Sequence, residues 1–314
     1  MWKRMLMCIF LCSLLSGGLG ITCLDALGNS VDWYAIYKLP ALKSSSNWMI
    51  RAGLAPLYLD VRSPKWALLN HAMNESQEAV YQTLSAIYSG KNDDMMYIMY
   101  NDEPPPASQT TVQDEGGHTK GVVAFDKNSG FWLIHSAPHF PPGKDHGYTY
   151  PTTACHYGQS FLCVTFPYNQ LGNVAKQLWY NEPHIYNHTV PASFSQDYPV
   201  LNDVIHGKTP PGPPYSSVLQ MTSLGGQQFT SFAKSGKFEA DLYDALVAPT
   251  LQQDLLVETW LNGEGGKLDS NCSANYKVMK ITSISMQAFA VKFNETKDHS
   301  KWAISTAAGI RGEK

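Results

Sequence analysis

Short runs of hydrophobic, β-branched and aromatic residues recur along the chain, and they predict a protein rich in β-strands. Such residues fit the pleated, half-buried surface of a sheet. Residues 126–130, which join the two central runs, contain Asp, Asn, Ser and Gly and therefore favour a hairpin turn. The predicted strands are residues 31–39, 95–100, 121–125, 131–136, 161–166, 255–260 and 278–286.

Three other segments repeat apolar residues at helical spacing. Val80, Leu84 and Ile87, for example, fall on one face of a helix. Strands interleaved with helices predict an α/β or α+β layer fold, whose Pro-rich and Gly-rich loops form the walls of a site. The predicted helices are residues 75–88, 169–179 and 240–252, and the loops are residues 102–117, 138–153 and 207–214.

The N-terminus has the pattern of a secretory signal peptide. Lys3 and Arg4 precede an apolar run at residues 5–15, and small residues follow up to Gly20. The run is too short to span a bilayer, and no later segment is apolar for long enough. We therefore expect residues 1–20 to be removed and residues 21–314 to form a soluble domain in the secretory pathway.

Secretion changes how the sequons and cysteines are interpreted. Four Asn-x-Ser/Thr sequons predict a glycoprotein with these residues on its surface. Four cysteines remain after the signal peptide is removed; they allow three pairings, and their spacing matches no zinc pattern. We expect disulfides and a buried thiol. The sequons begin at Asn74, Asn187, Asn271 and Asn294, and the cysteines are Cys23, Cys155, Cys163 and Cys272.

Two tripeptides, His118-Thr119-Lys120 and His299-Ser300-Lys301, carry the chemistry that the chain suggests. On an extended strand, side chains two residues apart share a face. A lysine in this position binds a phosphate oxygen, while the histidine transfers a proton or attacks phosphorus. Two such motifs predict a phosphodiester-cleaving site with a separate nucleophile and general acid. At this point, two unrelated His-x-Lys steps remain the competing interpretation.

Three further features bear on the motifs, and two of them have alternative interpretations. A third step, His206-Gly207-Lys208, leads into a proline-rich stretch and is interpreted as a surface loop. His135, at the end of a predicted strand, is either a third imidazole in the cleft or a partly buried histidine bonded to a backbone carbonyl. Asp126 either orients a motif side chain or is a turn acid.

The sequence predicts no metal and no cofactor. Lys120 and Lys301 supply the positive charge that Mg²⁺ would otherwise provide, and His-Glu-x-x-His, a cysteine cluster and a calcium loop are absent from the sequence. The acidic residues Asp93, Asp94, Asp102 and Glu103 are attributed to solvated turns.

Net charge favours a polyanionic partner only in acid. The formal charge is −3 at pH 7, and the loss of Lys3 and Arg4 with the signal peptide makes the mature chain more negative still. All 10 histidines lie in the mature chain, and their protonation below about pH 6.5 would make it positive. Acidic conditions thus convert a chain that repels a polyanion into one that attracts it.

Several segments together closely resemble the deoxyribonuclease II family, the lysosomal acid endonucleases. The resemblance runs from about residue 21 to residue 305. It is carried, in the same order as in the family, by residues 31–40 (VDWYAIYKLP), 100–102 (YND), 117–121 (GHTKG), 130–136 (GFWLIHS) and 298–302 (DHSKW).

The resemblance implies a phospholipase D-like fold. Two similar lobes, about residues 21–170 and 171–314, would each have a central sheet flanked by helices and would meet at one active site. It also implies that DNA is the substrate and is hydrolysed in acid without a metal. The products would carry 3′-phosphate ends, and the setting would be lysosomal degradation of apoptotic or engulfed DNA, with secretion as the other destination.

The family's motifs map onto His118 and Lys120, and onto His299 and Lys301. In such enzymes the first histidine is often the nucleophile and the second the general acid, but the sequence leaves this order open. The resemblance further implies a disulfide between Cys23 and Cys155, with Cys272 unpaired.

One departure from the family is the C-terminus. Family members continue beyond the second motif through a cysteine-bearing tail, whereas this sequence stops at Lys314. We therefore expect a truncated relative with an incomplete second lobe, reduced stability and diminished or absent activity. Two alternatives stay open: a phosphodiesterase with another substrate, and an inactive secreted nucleic-acid-binding paralogue. Oligomeric state and base preference are not predicted.

Overall fold

A computed structural model of the chain describes residues 20–90, 94–108, 116–260 and 269–306. The predicted signal peptide, apart from Gly20, lies outside these ranges. None of the helices within them is long and apolar enough to cross a membrane. The helices are α1 (Trp48–Ala52), α2 (Ala79–Tyr88), α3 (Leu171–Asn181), α4 (Ala192–Asp197), α5 (Val200–Ile205) and α6 (Ala248–Leu251).

Strands dominate the fold, as the sequence predicts. In the first part of the chain they are β1 (Cys23–Leu24), β2 (Ser30–Val31), β3 (Trp33–Lys38), β4 (Pro56–Asp60), β5 (Ala67–Leu68), β6 (Met96–Asn101), β7 (Lys120–Phe125), β8 (Ser129–His135), β9 (Gln159–Pro167) and β10 (Ile185–Thr189). Later strands are β11 (Ser216–Thr222), β12 (Gln228–Lys234), β13 (Leu255–Glu258), β14 (Val278–Lys280), β15 (Ser283–Met286), β16 (Val291–Asn294) and β17 (Trp302–Ser305).

An eight-stranded antiparallel sheet, in the order β10-β6-β7-β8-β9-β3-β4-β5, organises the first part of the chain. Both of its faces are covered. Alternate residues of β6 enter different cores: Tyr97 and Met99 pack with α2, and Met96 and Ile98 pack with α3. Because its central strands are buried on both faces, they appear in the sequence as nearly continuous apolar runs.

The later part of the chain forms smaller sheets. β13 pairs in parallel with β14 and antiparallel with β17, and β11-β12 and β15-β16 form separate two-stranded sheets. The described residues therefore form a mixed α/β fold with several sheets. They do not confirm two similar lobes, since the large sheet is built from residues 33–189 and the three-stranded sheet from residues 255–305.

Two predicted elements are divided in the structure. The single strand predicted at residues 278–286 is two strands. β14 pairs with β13 and ends at Lys280, and the chain then turns so that β15 pairs with β16. The helix predicted at residues 240–252 is a π-helical turn (Tyr243–Val247) followed by the short α6, which has Pro249 in its first turn. Proline is accepted at a helix start but not in its interior.

The predicted Cys23–Cys155 disulfide is wrong. Cys23 pairs with Cys163, with a Cα–Cα distance of 6.0 Å, and Cys155 is a free thiol. The register explains the pairing. The backbone N–H of Cys23 donates to Thr165 Oγ1 (3.0 Å), and this hydroxyl in turn donates to Val31 O, so β1 is held beside β9. Cys272 is free and exposed, as expected.

A buried acid begins helix α2. Glu78 is fully buried, its Oε2 accepts the Val80 N–H at 2.7 Å, and its Oε1 has no partner. Burial is the largest effect on this carboxyl and raises its pKa from 4.5 to about 8, although backbone N–H groups oppose the shift. The unfolded chain releases this proton at lower pH than the folded chain, so stability falls as pH rises from 4.5 to about 8.

Glu78→Gln is expected to remove this pH dependence. The difference in the free energy of unfolding, variant minus parent, should increase by about 2–4 kcal/mol from pH 5 to pH 7.5. Each unit of pKa shift corresponds to about 1.4 kcal/mol. Urea denaturation at both pH values measures the difference. Parallel pH profiles for the two proteins would show that Glu78 does not carry this proton.

Candidate active site

The predicted site residues gather at one edge of the large sheet. Antiparallel neighbours place the end of one strand beside the start of the next. Here β6 ends at Asn101, β7 begins at Lys120 and β8 ends at His135, while β9 begins at Gln159 beside Lys38, the last residue of β3. The first motif lies at this edge, and the second motif is hydrogen-bonded to it at Gly158, just before β9.

The first motif is held by two carboxylates. Lys120 is buried, and its Nζ lies 2.6 Å from both oxygens of Asp102 and 3.3 Å from Glu103 Oε2. His118 is more open: its side chain is 61% exposed, and its Nε2 lies 3.3 Å from Asp102 Oδ2. Asp102 and Glu103 thus belong to the site, which corrects their assignment to a solvated turn.

Asn101 shapes the chain that presents these acids. Its side chain is fully buried, and its Nδ2 donates to Phe140 O at 2.8 Å and to Ala137 O at 3.2 Å. Its Oδ1 accepts the Glu103 N–H at 2.8 Å. The amide therefore ties the bend after β6 to the loop after β8, so that Asp102 faces the start of β7.

The second motif is fastened to the same edge by backbone bonds. Gly158 N–H donates to Lys297 O (2.8 Å), and His299 N–H donates to Gly158 O (3.0 Å). Asp298, fully buried between them, accepts hydrogen bonds from the Tyr37 hydroxyl on β3 and from the Ser300 N–H. Residues 297–300, distant in sequence, are thus an extension of the large sheet.

The imidazole of His299 has a defined orientation. Its Nδ1 lies 3.0 Å from Ser136 O and 3.2 Å from Gln159 Oε1, so Nδ1 carries the proton and donates to oxygen. Nε2 is left with its lone pair and lies 3.2 Å from Lys301 Nζ. Such a ring can act as a nucleophile or a base through Nε2.

Both motifs lie at the same end of the sheet, and their charges influence one another. Burial and the nearby charges of Lys301, Lys120 and His118 lower the pKa of His299 to about 3. Burial and Lys120 lower the pKa of Lys301 to about 7. Burial also lowers the pKa of His118, although Asp102 opposes the shift. The four predicted catalytic residues therefore lie together in one site.

Other predicted residues are separate from this chemistry. His135 is buried next to the site between Phe140 and Phe161, and burial lowers its pKa to about 3. Neither of its ring nitrogens has a hydrogen-bond partner among the described residues, so the expected bond to a backbone carbonyl is not seen. Asp126 accepts the Asn128, Ser129 and Ile21 N–H groups and is a turn acid. His206 lies at the exposed C-terminal end of α5, consistent with a surface position.

No group of three or more His, Cys, Asp or Glu side chains that could hold a metal ion occurs within the four described ranges. Asp93, one of the acids assigned to a turn, lies outside those ranges. The positive charge at the described site comes chiefly from Lys120 and Lys301.

This chain resembles known proteins along most of its length. The profile of the family described as Deoxyribonuclease II matches residues 22–310. Plancitoxin-1 of Acanthaster planci is 37% identical over 293 residues, which cover 93% of the chain and 81% of that protein. Deoxyribonuclease-2-alpha of Mus musculus is 38% identical over 287 residues, covering 91% and 80%. Deoxyribonuclease-2 of Caenorhabditis elegans is 39% identical, covering 90% and 81%. The chain belongs to the deoxyribonuclease II family.

Proposed function

We propose that this protein is a hydrolase that cleaves DNA phosphodiester bonds endonucleolytically in acid without a metal. The observation that carries the proposal is the meeting of His118, Lys120, His299 and Lys301 in one site, although 181 residues separate the histidines. Membership of a family whose members include deoxyribonucleases of mouse and nematode supports DNA as the substrate. Both motifs would contact the scissile phosphate from the same end of the large sheet, where residues 297–300 are bonded beside Gly158.

In the first step, His299 Nε2 attacks phosphorus. Nε2 carries a lone pair because Nδ1 donates to Ser136 O, and the low pKa keeps the ring neutral near pH 5; Lys301 Nζ, 3.2 Å from Nε2, would have to turn to the phosphate as the substrate binds. The P–O5′ bond breaks, and the departing O5′ takes a proton from His118. The enzyme then carries the 3′-nucleotide on a phosphohistidine.

This order is the reverse of the one that the family resemblance implies, and it rests on protonation. At pH 5 the general acid must hold a proton and the nucleophile must not. Burial lowers the pKa of both histidines, and Lys120 and Lys301 lower both further. Only His118 lies beside the carboxylate of Asp102, which favours its charged form, whereas the pKa of His299 falls to about 3. The geometry therefore supports His299 as the nucleophile and His118 as the general acid.

In the second step, water attacks phosphorus and gives a proton to His118, which is then in its base form. The N–P bond breaks, His299 returns to its neutral state, and the product leaves with a 3′-phosphate. Lys120 and Lys301 bind the non-bridging oxygens and stabilise their charge throughout. This is the role a divalent cation has in other nucleases, and no cofactor is required.

A secreted or lysosomal setting fits these properties, with degradation of apoptotic or engulfed DNA as the role. Asn74 and Asn294 are exposed and suited to carry glycans. Asn271 is less suited, because its Nδ2 donates to both carboxylate oxygens of Asp244 at 3.0 Å. Asn187 is half-buried on β10.

Plasmid nicking tests the proposal. The mature chain, residues 21–314, is expected to nick supercoiled DNA near pH 5 in the presence of EDTA, and His118→Ala is expected to lower the rate about 10²–10⁴-fold. The cleaved ends should accept a label from polynucleotide kinase at the 5′ end without prior dephosphorylation, since phosphate stays on the 3′ side. A folded parent that binds DNA but does not nick it would instead favour an inactive nucleic-acid-binding protein.

A further inference from the structure

Aromatic rings lead from the surface to the imidazole of His299. The centroid of exposed His156 lies 6.4 Å from that of Tyr157, which lies 4.7 Å from that of Trp260. Trp260 in turn lies 4.7 Å from His299. Tyr157 and Trp260 are both half-buried and lie beside the candidate active site.

The backbone at Trp260 has an uncommon conformation. Its φ is +58°, in the left-handed region that bulky side chains rarely adopt. Its N–H donates to Oε1 of the buried Glu258 at 3.0 Å, at the end of β13. Such conformations concentrate at functional sites, where surrounding structure holds them. Here the result is an indole placed next to His299.

Orientation of His299 does not require this indole. The ring is already fixed by two oxygens at Nδ1, and its backbone is bonded to Gly158. Trp260 can therefore have a role other than orienting His299, and its position between Tyr157 and His299 indicates which one. A group bound there would be attached to the phosphate on which His299 acts.

We propose that Trp260, with Tyr157, forms a stacking site for the nucleobase adjacent to the scissile phosphate; this rests on the proposed nuclease function. Aromatic side chains bind single-stranded nucleic acid by stacking on base faces, with little sequence preference because every base has such a face. The site would engage a base that is unstacked from its neighbour. Cleavage of single-stranded DNA should therefore depend on Trp260 more than cleavage of an intact duplex does.

The test uses a 12-nucleotide single strand, alone and with one base replaced by an abasic tetrahydrofuran residue. Cleavage at each bond is resolved by mass, for the parent and for Trp260→Ala. In the parent, the missing base should lower kcat/KM at one flanking bond by about 5- to 100-fold, the range expected for one stacked base. In Trp260→Ala, kcat/KM for the intact strand at this bond should be lower by the same factor, and removal of the base should lower it no further.

Matched variants separate this role from others. Trp48→Ala, at an exposed tryptophan on α1, should cleave like the parent, and Trp260→Phe should retain most of the rate. If Trp260→Ala lowers cleavage of the intact and abasic strands by the same factor, the indole supports His299 and the stacking proposal is wrong. An unchanged rate in Trp260→Ala would also overturn it. Failure of the parent to cleave any strand would refute the nuclease function itself.

Discussion

His299→Ala is expected to abolish DNA cleavage, with a fall of about 10⁴- to 10⁶-fold in kcat, because it removes the nitrogen that attacks phosphorus in the proposed mechanism. The replacement should leave the fold intact, since the backbone bond from residue 299 to Gly158 remains. Plasmid nicking near pH 5 measures the loss. His206→Ala, in the exposed His-x-Lys step at the end of α5, provides a control that should keep full activity.

An activated ester separates the roles of the two histidines. Thymidine 3′-(4-nitrophenyl phosphate) releases nitrophenolate, a leaving group that needs no proton. With this substrate, His118→Ala should release one equivalent of nitrophenolate in a burst and accumulate phosphorylated enzyme, while His299→Ala should release none. A burst from His299→Ala, with thymidine 3′-phosphate attached to His118, would reverse the assignment and restore the order that the family resemblance implies.

Cys163→Ser is expected to lower the free energy of unfolding by about 2–5 kcal/mol, the usual cost of losing a native disulfide in a secreted domain. The bond joins residues 140 apart in sequence, and both sulfurs lie in the core of the large sheet. The loss therefore combines a less constrained unfolded chain with a polar hydroxyl in an apolar environment. Urea denaturation under non-reducing conditions measures the change.

Cys155→Ser is the matched control for this prediction. Cys155 is half-buried and unpaired, so its replacement should change stability by less than about 1 kcal/mol. Cys23→Ser should lower the free energy of unfolding by as much as Cys163→Ser does, and the double variant should be no less stable than either single variant. A large loss in Cys155→Ser with little change in Cys163→Ser would reinstate the Cys23–Cys155 pairing.

The central strands of the large sheet were predictable from local sequence. Residues 95–100 and 121–125 are apolar on both faces, and the structure buries both faces of β6 and β7. Shorter or half-exposed elements were missed, among them the β11-β12 hairpin. Its residues alternate weakly, and its apolar side chains pack in the same core as α3, which lies more than thirty residues earlier.

The acids of the site show a different limit. Asp102 and Glu103 stand in a proline-rich segment that is typical of a surface turn, and nothing in their spacing points to Lys120. They reach it because β6 and β7 pair antiparallel, with Asn101 opposite Lys120. The only sequence signal was the Tyr-Asn-Asp segment, which carries part of the family resemblance.

By itself, the sequence determined the chemistry available to this protein: two His-x-Lys motifs, strands that bury both faces, and membership of a family. These follow from side-chain type and spacing, which are local properties. Only the tertiary structure decided that both motifs share one edge of the sheet, that Asp102 holds Lys120, and that Cys163 is the partner of Cys23. Each of these depends on strand register, which arises from contacts between residues distant along the chain.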